Sequence, residues 1–283
     1  MRRDFSLGSE WLYFKIYCGV KTADFILLDY LKEAIKELIA DKYISKWFFI
    51  RYHDPEAHLR LRFKIDHEKH LGTVITKLYR IFDILQTENL IWKIQTDTYS
   101  RELERYGVTT YELSEFIFQA DSELILDYID LKPNFEKETT TILFSFLAID
   151  QFLTLFGLTN TEKLEVLHRL QESFKQEFQA DKTLKKQLDK HYRDLENQIS
   201  SFLAMEDLAH QSLYHIIQTK TEKIKASVLT IKTLLDTALL PFLSSHIHMI
   251  LNRQFTSRQR EYELLIYDHL YRYYKKRSYI FNK

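Results

Sequence analysis

Apolar positions in the first hundred residues alternate between two periods. Trp11–Cys18 (WLYFKIYC) is a dense aromatic and β-branched run, the signature of a buried strand. From Thr22 to Ala40, Phe25, Leu28, Leu31, Ile35 and Leu38 recur at helical spacing behind a threonine able to cap the first turn. Lys46–Tyr52 (KWFFIRY) predicts a second strand, and His58–Ile65 (HLRLRFKI), alternating with period two, a third. Between them His53-Asp54-Pro55 is a turn, because proline fixes its own φ and biases the preceding residue away from helix, so the two strands form a hairpin. A helix over about 67–86 and a strand over Ile91–Thr98 follow.

From Thr110 onward the period is helical. Apolar repeats predict helices at about 110–131, 138–156, 161–179, 183–203, 206–218, 226–253 and 256–276. The charged stretches 181–190 (DKTLKKQLDK) and 219–226 (KTEKIKAS) read as solvated helix ends and loops. The expected fold is α+β and mostly helical. It is a single domain, 1–283, in which a small N-terminal sheet (residues 1–109) packs against a large helical portion (residues 110–283).

Composition narrows the function. Forty Lys and Arg balance forty Asp and Glu, so the net charge of zero argues against a broad electrostatic grip on nucleic acid but allows a local basic pocket. Cys18 is the only cysteine, which excludes an intrachain disulfide framework and a cysteine zinc site and agrees with a cytoplasmic location. The start, MRRDFSLGSEW, lacks the apolar run of a signal peptide, and no stretch of about 18 apolar residues predicts a membrane span. Glycine and proline are scarce, with neither GxGxxG nor GxxxxGK[ST]. This argues against Rossmann-type dinucleotide binding and P-loop chemistry.

Candidate chemistry concentrates in four places. On a strand alternate side chains share a face, so His58, Arg60 and Arg62 look one way and Leu59, Leu61 and Phe63 the other. Two such guanidiniums repel unless an anion or a carboxylate lies between them, and arginine suits bidentate carboxylate recognition. A solvated basic face paired with surface glutamates gives the same spacing. Arg51, inside an apolar strand, must reach an edge or pair. In TDTYSRELERYG, Arg101 and Arg105 share a face if the segment is helical, with Glu102 and Glu104 as counter-charges and Gly107 ending the turn. In SSHIHMILNRQF, His246 and His248 point about 200° apart on a helix and cannot hold one metal ion. His248 and Asn252, four apart, can face one site, and imidazole suits proton transfer near neutrality; a satisfied core histidine fits equally. The other histidines show no ligand spacing, and GxSxG and HExxH are absent.

Five separated motifs then carry a resemblance: WLYFKIY, KWFFIRYHDPEAHLRLRF, TYSRELERYG, FQADSELIL and HIHMILNR. In this order and spacing, over roughly Trp11 to Tyr274, they resemble the C-terminal domain of lantibiotic dehydratases, also called the thiopeptide-type bacteriocin biosynthesis domain. The resemblance implies a stand-alone, split elimination subunit. A separate glutamyl-tRNA-dependent glutamylation protein esterifies Ser or Thr of a precursor peptide, and the elimination protein removes glutamate, leaving dehydroalanine or dehydrobutyrine. It places the elimination residues on Arg60, Arg62, Arg101 and His248, with Arg51, His58, Arg105 and Asn252 as candidates for holding substrate. Gly107 is followed by Val108 where the family often has a second glycine. No metal or organic cofactor and no direct nucleic-acid contact is expected; a homodimer is. His248 is either base at Cα or acid to the leaving oxygen. Two other readings stay open: a pyridine-forming cycloaddition enzyme of the same fold, and a non-catalytic precursor-peptide-binding subunit.

Overall fold

The computed structural model describes residues 1–135 and 138–281. The fold is α+β and mostly helical, with its strands near the N-terminus. The chain divides into two compact units. The first comprises Met1–Asp130, Leu234–Thr237 and Asn252–Ser257; the second comprises Leu131–Thr233, Ala238–Leu251 and Arg258–Lys283.

The first unit is built on an antiparallel four-stranded sheet in the order β3-β4-β2-β5, from β2 (Trp11–Cys18), β3 (Ile44–Tyr52), β4 (His58–Ile65) and β5 (Ile91–Thr96). The predicted hairpin is present as β3–β4, with Phe49 opposite Leu61 and Ile50 opposite Arg60. The fourth predicted strand is shorter than expected. Two residues after β5 the chain forms β6 (Tyr99–Ser100), which pairs with β1 (Asp4–Phe5). So short a pair carries no periodic signal.

One sheet face is apolar: Phe14 of β2, Phe49 of β3, and Leu59, Leu61 and Phe63 of β4 are all buried. Phe14 meets Phe82 of α3 (Leu71–Thr87) edge-on at 5.4 Å. The helical stretch Thr22–Ala40 supplies further core residues. It is α1 (Thr22–Phe25), a π-helical turn over Ile26–Leu31, and α2 (Lys32–Ala40), and Thr22 does not cap it. Burying each large apolar side chain is worth about 1.5–3 kcal/mol, and a one-residue register slip would expose them all. The apolar face therefore dictates which way the intervening arginines look.

β3 is an edge strand whose backbone is satisfied by side chains. The Phe49 N–H donates to Ser122 Oγ (3.2 Å) on α5 (Tyr111–Leu131), and the Arg51 N–H donates to Asn252 Oδ1 (3.0 Å). Asn252 Nδ2 donates back to the Arg51 carbonyl (2.9 Å), so one amide side chain completes the ladder a neighbouring strand would have made.

The second unit is helical: α6 (Glu138–Leu155), α7 (Asn160–Glu177), α8 (Lys182–Leu203), most of α9 (Gln211–Leu234), most of α10 (Leu239–Gln254) and α11 (Gln259–Phe281). A reciprocal capping box between Thr159 and Glu162 starts α7, and Asp181 caps α8. The charged stretch 219–226 does not break the chain. Lys220 and Ile224 are buried within α9, which continues to Leu234. The break comes at 235–238, just before Pro241, which is tolerated only in the first turn of a helix. Among the described residues, no helix is long and apolar enough to cross a membrane.

Candidate active site

Strand alternation puts His58, Arg60 and Arg62 on the sheet face opposite the apolar one. The register then fixes their neighbours. Arg62 lies between Tyr13 and Phe48, Arg60 between Lys15 and Ile50, and His58 between Tyr17 and Tyr52.

Arg62 is 9% exposed. Its guanidinium lies on three aromatic faces, with Cζ 4.4 Å from the ring centre of Tyr13, 5.2 Å from Tyr99 and 5.3 Å from Phe48. Its Nε is buried without a hydrogen-bond partner, and no carboxylate among the described residues forms an ion pair with it. A desolvated cation–π contact is worth roughly 2 kcal/mol. Burying an ion costs several kcal/mol even after relaxation, so the aromatic cage offsets only part of that cost and an incoming anion would find an unmatched charge.

Arg60 lies closer to the other end of the strand. Its Cζ is 3.4 Å from the Tyr52 ring centre, and its Nε donates to His58 Nε2 (3.1 Å). Accepting there leaves His58 Nδ1 as the protonated nitrogen, donating to the Glu56 carbonyl (2.8 Å). Burial pushes His58 below its ordinary pKa, so the ring is a neutral prop for Arg60. Arg60 likewise forms no ion pair with a described carboxylate. Its cross-strand neighbour Lys15 is a like charge, an unfavourable pairing that Asp97 relieves by binding Lys15 at 2.5 Å; that bond holds the Asp97 carboxyl below its usual range.

Arg101 is 3% exposed and takes its counter-charge from a residue that sequence reasoning missed. Nε and Nη2 donate to the two oxygens of Glu115 at 2.7 and 2.8 Å. Glu115, on α5, is fully buried and also accepts from the Tyr99 hydroxyl (3.0 Å). Burial opposes the Arg101 charge, and Glu115 outweighs it. The expected partners serve other residues: Glu104 pairs with Arg3, and Glu102 pairs with Arg105 at 3.0 Å. Arg101 precedes the short helix α4 (Leu103–Tyr106), so Arg105 is exposed and the two arginines do not share a face. Gly107 ends α4 at φ +77°, where a Cβ would collide with the Asp236 carboxylate that accepts from the Val108 and Thr109 amides.

Thus Arg62, Tyr99, Glu115 and Arg101 form one connected cluster, with Arg60 and His58 further along the same sheet face. Arg51 is on the other face, where its Nη2 binds Asp24 (2.5 Å) and its Nε donates to the Arg253 carbonyl (2.8 Å). Asn252 is occupied by the Arg51 backbone.

His248 lies in the second unit, on α10. Its Nδ1 meets Glu263 Oε1 at 2.6 Å, and its side chain is 35% exposed. Glu263 is fully buried on α11, also binding Arg260 (2.8 Å) and the Tyr267 hydroxyl (3.3 Å). A buried carboxylate on Nδ1 fixes the tautomer and orientation and leaves Nε2 as the nitrogen not committed to Glu263. Nothing in the sequence marks Glu263 or Glu115 as these partners, because each pairing joins separate elements. Among the described residues no group of three or more His, Cys, Asp or Glu could hold a metal ion.

A family model described as lantibiotic biosynthesis dehydratase C-term matches residues 11–274. The subtilin biosynthesis protein SpaB of Bacillus subtilis is 30% identical over 191 residues, covering 66% of this chain and 18% of SpaB. The nisin biosynthesis protein NisB of Lactococcus lactis subsp. lactis is 28% identical over 239 residues, covering 77% of this chain and 23% of NisB. The chain thus spans about a fifth of the length of these relatives. In structure it resembles the tRNA-dependent lantibiotic dehydratase MibB from Microbispora sp. 107891, with TM-score 0.75, 19% identity, and 94% of this chain against 28% of MibB. It also resembles TbtD, a pyridine synthase from thiomuracin biosynthesis, with TM-score 0.64, 12% identity, and 95% of this chain against all of TbtD. At such identities the structural likenesses speak to fold. The family match over nearly the whole chain speaks to kinship, and the chain belongs to the lantibiotic dehydratase C-terminal domain family.

Proposed function

We propose that this chain is a lyase that removes glutamate from glutamylated serine and threonine residues of a ribosomally made precursor peptide, leaving dehydroalanine and dehydrobutyrine. A separate glutamyl-tRNA-dependent protein supplies the ester. In the reaction the Cα–H bond breaks and its electron pair forms the Cα=Cβ bond. The Cβ–O bond breaks, and the carboxylate of glutamate departs with the electron pair of that bond. The protein must hold an anion that gains charge as it leaves and move one proton.

The observation that carries this reading is the pair Arg60 and Arg62. They are two guanidiniums on one sheet face, held by aromatic rings and a neutral histidine, and neither is matched by a described carboxylate. Such a site is preorganised for a carboxylate, and donors fixed where negative charge develops act most strongly away from water. Arg101, matched by Glu115, acts here by holding Tyr99, one wall of the Arg62 cage. His248, oriented by Glu263, is assigned the proton.

The test is incubation with a peptide bearing glutamyl esters on Ser or Thr, followed by mass spectrometry. Loss of one glutamic acid per site is expected. An unchanged mass, or pyridine formation from a dehydrated peptide without release of glutamate, would overturn the assignment.

A further inference from the structure

One polar group inside the arginine cluster is left without a role by the elimination residues. Tyr13, on β2, is 5% exposed, and its ring carries the Arg62 guanidinium at 4.4 Å. Lys15 Nζ is 5.8 Å from the same ring centre, and the phenol feels the charges of Arg62, Arg60, Lys15 and Asp97. These four are the charged groups that act on it from β2, β4 and the turn after β5. Its hydroxyl makes no hydrogen bond to any described residue, unlike Tyr17, whose hydroxyl donates to Gln95 (2.8 Å), and Tyr99, which donates to Glu115. The ring is buried but the hydroxyl oxygen is not sealed off, so its donor stays open to an incoming acceptor, and beside three cations that acceptor is an anion.

We infer that Tyr13 is a further catalytic residue: its hydroxyl donates a hydrogen bond to the carboxylate that Arg60 and Arg62 receive. This rests on the proposed elimination for the identity of that carboxylate. The phenol keeps its proton throughout, and the bond strengthens as charge accumulates on the departing oxygen. Burial outweighs the three nearby cations and holds the phenol above its ordinary pKa, which keeps the donor protonated across the neutral range.

Tyr13→Phe keeps the ring under Arg62 and removes only the oxygen. With a glutamylated peptide, the expected result is a fall in kcat of about ten- to hundredfold with KM little changed. Replacing Tyr13 by a fluorinated tyrosine, which acidifies the phenol, should bring the alkaline loss of rate to lower pH; a purely packing role would leave the profile in place. Equal kcat for wild type and Tyr13→Phe would overturn the inference while leaving the elimination intact. A second readout does not need turnover. Glutarate binding to the full chain, followed by calorimetry, should weaken about tenfold in Tyr13→Phe. Equal affinities, or no glutarate binding by the wild type, would overturn the donor role even if the chain eliminates nothing.

Discussion

Arg101 and Glu115 form a buried bidentate ion pair, with Nε and Nη2 donating to the two carboxylate oxygens at 2.7 and 2.8 Å across 14 residues of sequence. Both side chains are out of solvent, and the remaining counter-charges, Glu112 at 3.6 Å from Arg101 and Lys46 at 3.7 Å from Glu115, are too distant to replace the bidentate pair if one partner is removed. Truncating one partner of such a pair typically costs about 3–5 kcal/mol. Arg101→Gln and Glu115→Gln should each lower stability by that order in a urea titration, with the double variant costing less than the sum. Single variants that melt like the wild type would contradict a structural role for this pair.

Arg62 should behave in the opposite way. No carboxylate depends on it, so Arg62→Gln leaves no orphaned anion and relieves a buried charge. Its thermal midpoint should match or exceed the wild type, while elimination from a glutamylated peptide drops at least about a hundredfold. A variant as active as the wild type would remove Arg62 from the reaction.

Glu263 holds His248 through Nδ1. Glu263→Gln preserves shape but offers an amide where the ring needs an acceptor, so the tautomer is no longer enforced. We expect kcat to fall at least about tenfold with KM nearly unchanged. Kinetics indistinguishable from the wild type would show that this contact is not used.

The acid side of the stability profile should report on His58. Its pKa is lowered by burial in the folded protein, so the unfolded chain binds the extra proton first as pH falls. The contribution is intact above the unfolded value of about 6.5 and is lost as pH drops below it. His58→Phe keeps a ring between Tyr17 and Tyr52 but cannot titrate. Plotted against pH between about 7 and 5, its melting temperature should decline less steeply than the wild type's. Parallel slopes would mean that His58 does not contribute to the acid limb.

Much of the frame was legible in the linear chain because it depends on local periodicity. Strands β2, β3 and β4, the hairpin and most helices announce themselves through periods of two and 3.6. The common face of His58, Arg60 and Arg62 follows from alternation alone, since only one register buries Leu59, Leu61 and Phe63. Local pattern predicts neither the β1–β6 pair nor the continuity of α9 through KTEKIK. The first is too short to have a period, and the second depends on burial of Lys220 and Ile224.

Tertiary structure decided which charges are matched. Arg101 lost its sequence neighbours Glu102 and Glu104 and gained Glu115, Arg51 turned to the opposite sheet face, and Asn252 was taken by a strand edge. Arg60 and Arg62 were left without a described carboxylate. Periodicity states only which side of an element a residue occupies. Whether its charge is neutralised depends on groups brought within a few ångströms from distant segments, because Coulomb and hydrogen-bond energies act over distance in space and not along the chain.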